Sequence, residues 1–217
     1  MVIGATTHAG FLDLPAGLPK GIIIFAHGSG SSRLSKRNQF VAETLVNEGF
    51  ATLLFDLLTE DEDQTYENRF DIPLLAARLT QTAKWVMQQD DLHDLPIGYF
   101  GASTGAAAAL ISAANNPEPI GAVVSRGGRP DLALESLPRV KAPTLLIVGG
   151  RDEPVIGMNQ VALRALQCEK KLVTIPGATH LFEEPGTLEQ VAGLAQDWFT
   201  SFLTRQISHM RAKTFIA

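Results

Sequence analysis

Cysteine is nearly absent. The 217-residue chain has one, Cys168, which excludes an internal disulfide and any multi-cysteine zinc site. Basic residues are outnumbered, 18 against 23 acidic, for a formal net charge of −5; a general nucleic-acid binder would show a basic excess or a basic stripe instead. Long apolar runs are missing too. The longest, Ile22 to Ala26 and Ala106 to Ile111, fall far short of the roughly 20 residues of a membrane-spanning helix. Met1 to His8 lack the basic stretch and apolar run of a secretory leader. No H-E-x-x-H or comparable ligand spacing is present. The acidic stretch 59–69 lacks the alternating ligands and central glycine of an EF-hand and reads as a solvated loop. These absences point to a soluble cytoplasmic protein, one domain over residues 1–217, with no metal, cofactor, nucleic-acid or membrane partner. A chain of this length buries roughly 70% of its unfolded surface without needing disulfides or metal.

What is present is alternation. Short apolar runs (Ile22 to Ala26, Ala51 to Phe55, Pro96 to Phe100, Ile120 to Ser125, Thr144 to Val148, Lys171 to Ile175) are separated by segments of helical period. Helices are expected from about Asn38 to Glu48, Ile72 to Gln89, Thr104 to Asn115, Gly157 to Leu166 and from Thr187 onward, with one or two edge strands in the first 20 residues. Strands alternating with helices imply an α/β fold with a mostly parallel central sheet and helices on both faces, because parallel neighbours need crossover connections. In such sheets ligands sit beyond the carboxyl ends of the strands. Those ends carry His27-Gly28-Ser29-Gly30, Asp56, Ser103, Arg126, Asp152 and His180.

Gly101-Ala102-Ser103-Thr104-Gly105 fits G-x-S-x-G between a strand and a helix. A nucleophile on so sharp a turn crowds the positions two residues away on either side, and glycine removes the clashing side chains. The hydroxyl needs a base to take its proton. Of five histidines, His8 is near the terminus, His27 precedes the serine, His93 sits in an acidic loop and His209 in the tail. His180 alone follows the serine at a strand's end. Asp152, at the end of the preceding strand, is the acid that would orient it, with Asp131 as the rival. The order Ser103, Asp152, His180 differs from the chymotrypsin and subtilisin orders. Two oxyanion donors are expected: the Thr104 N–H at a helix start, and the N–H of Ser29, with Gly28 as the alternative. His27 reads as a brace behind that loop. Arg126 and Arg33 lie near strand ends, where either would hold a substrate carboxylate.

These motifs together resemble the α/β-hydrolase superfamily, over about residues 20–205, and the compact size resembles its dienelactone hydrolase-like branch. The resemblance implies a hydrolase of small-molecule esters or lactones working through an acyl-enzyme. It also implies no lid domain, since only residues 126–143 join the strands between which a lid would be inserted. Dienelactone hydrolases proper carry cysteine at the elbow; here it is Ser103, and Cys168 is away from any strand end. Two other readings compete. One is an α/β-hydrolase fold used only for binding. The other is a nucleotide-binding oxidoreductase built on Gly28-Ser29-Gly30-Ser31-Ser32-Arg33 with Asp56 on a ribose, in which Arg33 stands where the third glycine belongs.

Overall fold

The computed structural model describes residues 1–116 and 119–214, with side chains to residue 204. In chain order the elements are β1 Val2–Ile3, β2 Thr6–Thr7, β3 Gly10–Asp13, β4 Ile22–Ala26, α1 Lys36–Asn47, β5 Ala51–Phe55, α2 Glu60–Asp63, α3 Ile72–Val86, β6 Ile97–Ala102, α4 Thr104–Asn115, β7 Ile120–Arg126, β8 Thr144–Gly149, α5 Glu153–Ala165, β9 Lys170–Ile175 and α6 Thr187–Thr214. β1 and β2 form a small hairpin; the other seven strands make one sheet in the order β3-β5-β4-β6-β7-β8-β9. Only β3, paired with β5, is antiparallel.

The five inner strands, β4 to β8, are buried along their whole length because both faces of the sheet are covered there, while the edge strands β3 and β9 are largely exposed. Along β4 the faces alternate. Ile22, Ile24 and Ala26 pack with residues of α3, α4 and α5, while Ile23 and Phe25 pack with those of α1 and α6. The chain leaves β4 toward β5 on one side and returns to β6 on the other. This reversal of direction opens a crevice at the carboxyl ends of β4 and β6, the usual ligand position in an open α/β sheet. No helix among the described residues is long and apolar enough to cross a membrane.

Three local expectations shift. α1 starts at Lys36 because the Ser35 side chain accepts the Asn38 N–H and caps the helix. α5 begins at Glu153, four residues before Gly157, with Asp152 in the cap position and Pro154 tolerated in the first turn. The acidic stretch is not simply a solvated loop. Thr59 and Glu62 form a capping box around α2, and Glu62 reaches the buried guanidinium of Arg78 at 2.7 Å. Burial raises the Glu62 pKa, but the Thr59 N–H and Arg78 outweigh it and hold the carboxyl below its usual range. Between β7 and β8 lie only two short 3-10 turns, Pro130–Ala133 and Leu137–Arg139. No lid covers the strand ends among the described residues.

Candidate active site

Ser103 sits between β6 and α4 with φ 50° and ψ −121°. A non-glycine residue in this region is strained, at a cost on the order of 1–3 kcal/mol, and persists only where its surroundings hold it. The holding groups are explicit. The Ser103 N–H donates to the Arg126 carbonyl at 3.2 Å, and the Arg129 N–H donates to the Ser103 carbonyl at 3.0 Å. Room for the turn comes from glycines. A Cβ on Gly101 would lie 2.5 Å from Ala106 Cα, and one on Gly105 would fall inside the carbonyl oxygens of Ala26 and His27. Across the crevice a Cβ on Gly28 would stand 3.0 Å from Ser103 Cβ. The β4 loop therefore touches the elbow directly.

Asp152 and His180 meet at the ends of β8 and β9: His180 Nδ1 is 2.7 Å from Asp152 Oδ2. Their loops are stitched together by the Gly150 N–H to the Ile175 carbonyl at 2.8 Å and the Arg151 N–H to the Ala178 carbonyl at 2.9 Å. A Cβ on Gly149 would lie 2.5 Å from the Ala178 oxygen, so the close approach of the two loops requires glycine there. With Nδ1 committed to the carboxylate, Nε2 is the ring atom left to face a nucleophile. Gly127, at φ 51°, runs between the two halves: a Cβ on it would sit 3.1 Å from the His180 carbonyl oxygen and 3.5 Å from its Cε1. Ser103 Oγ has no hydrogen-bond partner among the described residues. The contact to the base in such sites commonly tightens only when substrate is bound. The rival acid, Asp131, is taken by Arg129, whose guanidinium donates to both of its carboxylate oxygens at 2.9 and 2.8 Å.

The loop after β4 does not present the Ser29 N–H as a free donor. The Ser29 N–H points at Thr104 and donates to its Oγ1 at 2.9 Å. The Thr104 N–H lies in the first turn of α4, where no intrahelical carbonyl is available to it. His27 braces this loop from within. Its Nε2 accepts the Leu57 N–H at 3.1 Å, which places the ring proton on Nδ1, 3.0 Å from the Gly28 carbonyl. Burial, above all, lowers the His27 pKa, and burial does the same to His8. Protonating His27 would set an N–H against the Leu57 N–H. The fold therefore keeps both histidines neutral to lower pH than the unfolded chain does. Their contribution to stability is complete above about 6.5, the ordinary histidine value, and is lost as pH falls below it. Unfolding free energy, measured in urea from about pH 7 down to about pH 5, is expected to drop, with a shallower slope in His27→Gln. Equal slopes in the two proteins would remove His27 from this account.

Arg33 and Arg126 have different surroundings. The Arg33 guanidinium pairs with Asp56, and the Arg33 backbone N–H donates to Asp56 Oδ1 at 2.7 Å. The acid proposed for a ribose is thus already occupied. The pair lines a cleft of about 620 Å³, together with His8, His27, Ser31 and Asp61, and Ser103 is not on its wall. Arg126 is buried below the His180 loop. Its Nη2 lies 3.4 Å from Asn38 Oδ1, its guanidinium lies 6.0 Å from the Phe182 ring centre, and its Nε has no partner among the described residues. Burial and the neighbouring Arg37 push its pKa down to about 10. Cys168 is half-buried, and burial raises its thiol pKa, which disfavours the nucleophilic thiolate.

A profile of the dienelactone hydrolase family matches residues 9–205. The chain belongs to this family. A solved dienelactone hydrolase from Anabaena variabilis is 56% identical and superposes with a TM-score of 0.90, over 93% of this chain and 94% of that one. A Xanthomonas campestris structure described as an α/β serine hydrolase without lid matches with a TM-score of 0.72 at 23% identity, over 89% and 88% of the two chains; that likeness is one of fold. A Mycobacterium tuberculosis protein named "Putative phosphoribosyl transferase" is 59% identical over 203 residues, covering 94% of this chain and 46% of its own. The chain spans about half the length of that curated relative.

Within this dienelactone hydrolase frame, the residues not anticipated from sequence are those that hold others in place. Arg129 anchors the elbow through its backbone. Glu184 Oε2 accepts the Thr179 N–H at 3.1 Å beside His180, and that hydrogen bond holds the Glu184 carboxyl below its usual range. Arg37 ties α1 to the same loop through Glu183 at 3.0 Å. The paired glycines Gly127-Gly128 after β7 are the sequence feature that could have pointed to this close packing.

Proposed function

We propose that this chain is a serine-dependent hydrolase of carboxylic esters or lactones. The observation that carries the reading is the 2.7 Å Asp152–His180 pair, set at the strand ends beside a serine in the strained elbow conformation. His180 takes the Ser103 proton as Oγ attacks the carbonyl carbon. It returns that proton to the leaving alkoxide, and the acyl group stays on Ser103. Water then gives a proton to His180 and attacks the acyl-enzyme; the carboxylic acid leaves and Ser103 is restored. Asp152 orients the ring and stabilises the imidazolium. We assign the Thr104 N–H to the charge that develops on the carbonyl oxygen. A panel of esters and lactones of varied charge and chain length, scored by kcat/KM, tests the reading. No turnover of any member would overturn it in favour of a binding role.

The transferase name attaches to a protein about twice as long, and we place that activity outside the shared half. The shared residues are those that the dienelactone hydrolase family covers.

The unpartnered Nε of buried Arg126 favours substrates with a second, anionic group. Desolvation strengthens such a charge-assisted bond. Arg126→Ala is expected to lower kcat/KM for a carboxylate-bearing ester about tenfold more than for its neutral analogue, on the scale of one charged hydrogen bond. Equal losses for both substrates would make Arg126 a support for the Phe182 loop and nothing more.

A further inference from the structure

We propose that the side-chain hydroxyl of Thr104, as well as its backbone N–H, donates to the oxyanion, so that Ser29 acts through it. This rests on the serine-hydrolase reading above. Three observations carry it. The Ser29 N–H, on the loop that should supply the second donor, is spent on Thr104 Oγ1 at 2.9 Å. Thr104 is 4% exposed, so water does not compete freely for the hydroxyl. And while Oγ1 accepts that bond, no described residue accepts its proton.

A threonine in a helix ordinarily returns its proton to the carbonyl four residues back. Here that residue is Phe100, which lies inside the sheet, in register with Phe25 on one side and Val124 on the other. The proton is left over, on a side chain that immediately follows the nucleophile and stands against the β4 loop. A hydroxyl that accepts from a backbone N–H is polarised and becomes a better donor. It meets an alkoxide-like oxygen more strongly than a neutral carbonyl, so its effect falls on the transition state rather than on substrate binding. The ground-state ester gains little from it.

The test compares Thr104→Val, Thr104→Ala and Thr104→Ser with wild type, using a p-nitrophenyl ester for turnover and a trifluoromethyl ketone as the tetrahedral adduct. Val keeps the shape without the hydroxyl; Ser keeps the hydroxyl without the methyl group. If Val fails to fold, the Ser and Ala pair differs by the hydroxyl alone. Val and Ala are expected to lose on the order of 10²-fold in kcat, the usual effect of one oxyanion donor, with KM changed less than about threefold. Affinity for the ketone should fall in parallel with kcat, and Ser should restore most of both. Turnover by Val or Ala within about threefold of wild type overturns the proposal, because the freed Ser29 N–H then suffices. Equal losses in Val, Ala and Ser also overturn it, since they mark a packing role. Fluorophosphonate labelling of wild-type Ser103 separates the two levels. Without it, the hydrolase reading itself fails; with it, a failure of the Thr104 series concerns Thr104 alone.

Discussion

Replacing Ser103 with alanine should abolish both ester hydrolysis and labelling by a fluorophosphonate probe. Loss of a nucleophile that acts as a unit with its base costs roughly 10⁴–10⁶-fold in kcat, which for most substrates means no detectable rate. The fold should survive, because Ser103 is held by its backbone: its N–H and carbonyl bond to Arg126 and Arg129 whatever the side chain. Asp152→Asn should cost about 10⁴-fold by favouring the wrong His180 tautomer. Asp131→Asn should cost far less, since its carboxylate serves Arg129. Labelling that persists in Ser103→Ala at some other residue would overturn the assignment of the nucleophile. A larger loss in Asp131→Asn than in Asp152→Asn would overturn the assignment of the acid.

The second large effect is on stability. Gly105→Ala should destabilise the protein by more than about 3 kcal/mol, beyond the usual range for overpacking. The added Cβ collides with the carbonyl oxygens of Ala26 and His27. Those atoms are backbone at the end of a central strand and cannot rotate away, as a side chain would. Gly157→Ala provides the control, because nothing lies within 4 Å of a Cβ there. Urea unfolding midpoints of the two variants should differ by about 1 M or more, or Gly105→Ala should show no folded protein at all. A Gly105→Ala protein as stable as Gly157→Ala would mean that α4 shifts away from β4 at little cost.

The inner strands were legible because covering both sheet faces leaves few polar positions along them. The run Ile22 to Ala26 can hardly be anything else, and every one of its residues is buried. The elbow was legible because steric crowding dictates its glycines at fixed spacing. Asp152 and His180 followed from chain order and strand ends. Pairings between distant segments left no local pattern to read. Glu62 with Arg78, Arg33 with Asp56 and Ser29 with Thr104 join residues 16, 23 and 75 positions apart. Each member taken alone resembles an ordinary surface or turn residue. The start of α5 was missed for a different reason. Gly157 looked like a boundary, whereas the true start is marked by Asp152, which serves the site as well as the helix and makes no side-chain capping bond.

The segment from Arg126 to Arg129 grips Ser103 on both sides, and it opens the connection from β7 to β8. That places a constraint on any attempt to give this site a cover. New sequence spliced between residues 126 and 129 would slacken the serine before it shielded anything. A graft has to enter after Asp131, whose pairing with Arg129 closes the grip. In the same way, lineages that lengthen this connection can do so from one end only, so residues 126–131 should change more slowly than the twelve from 132 to 143.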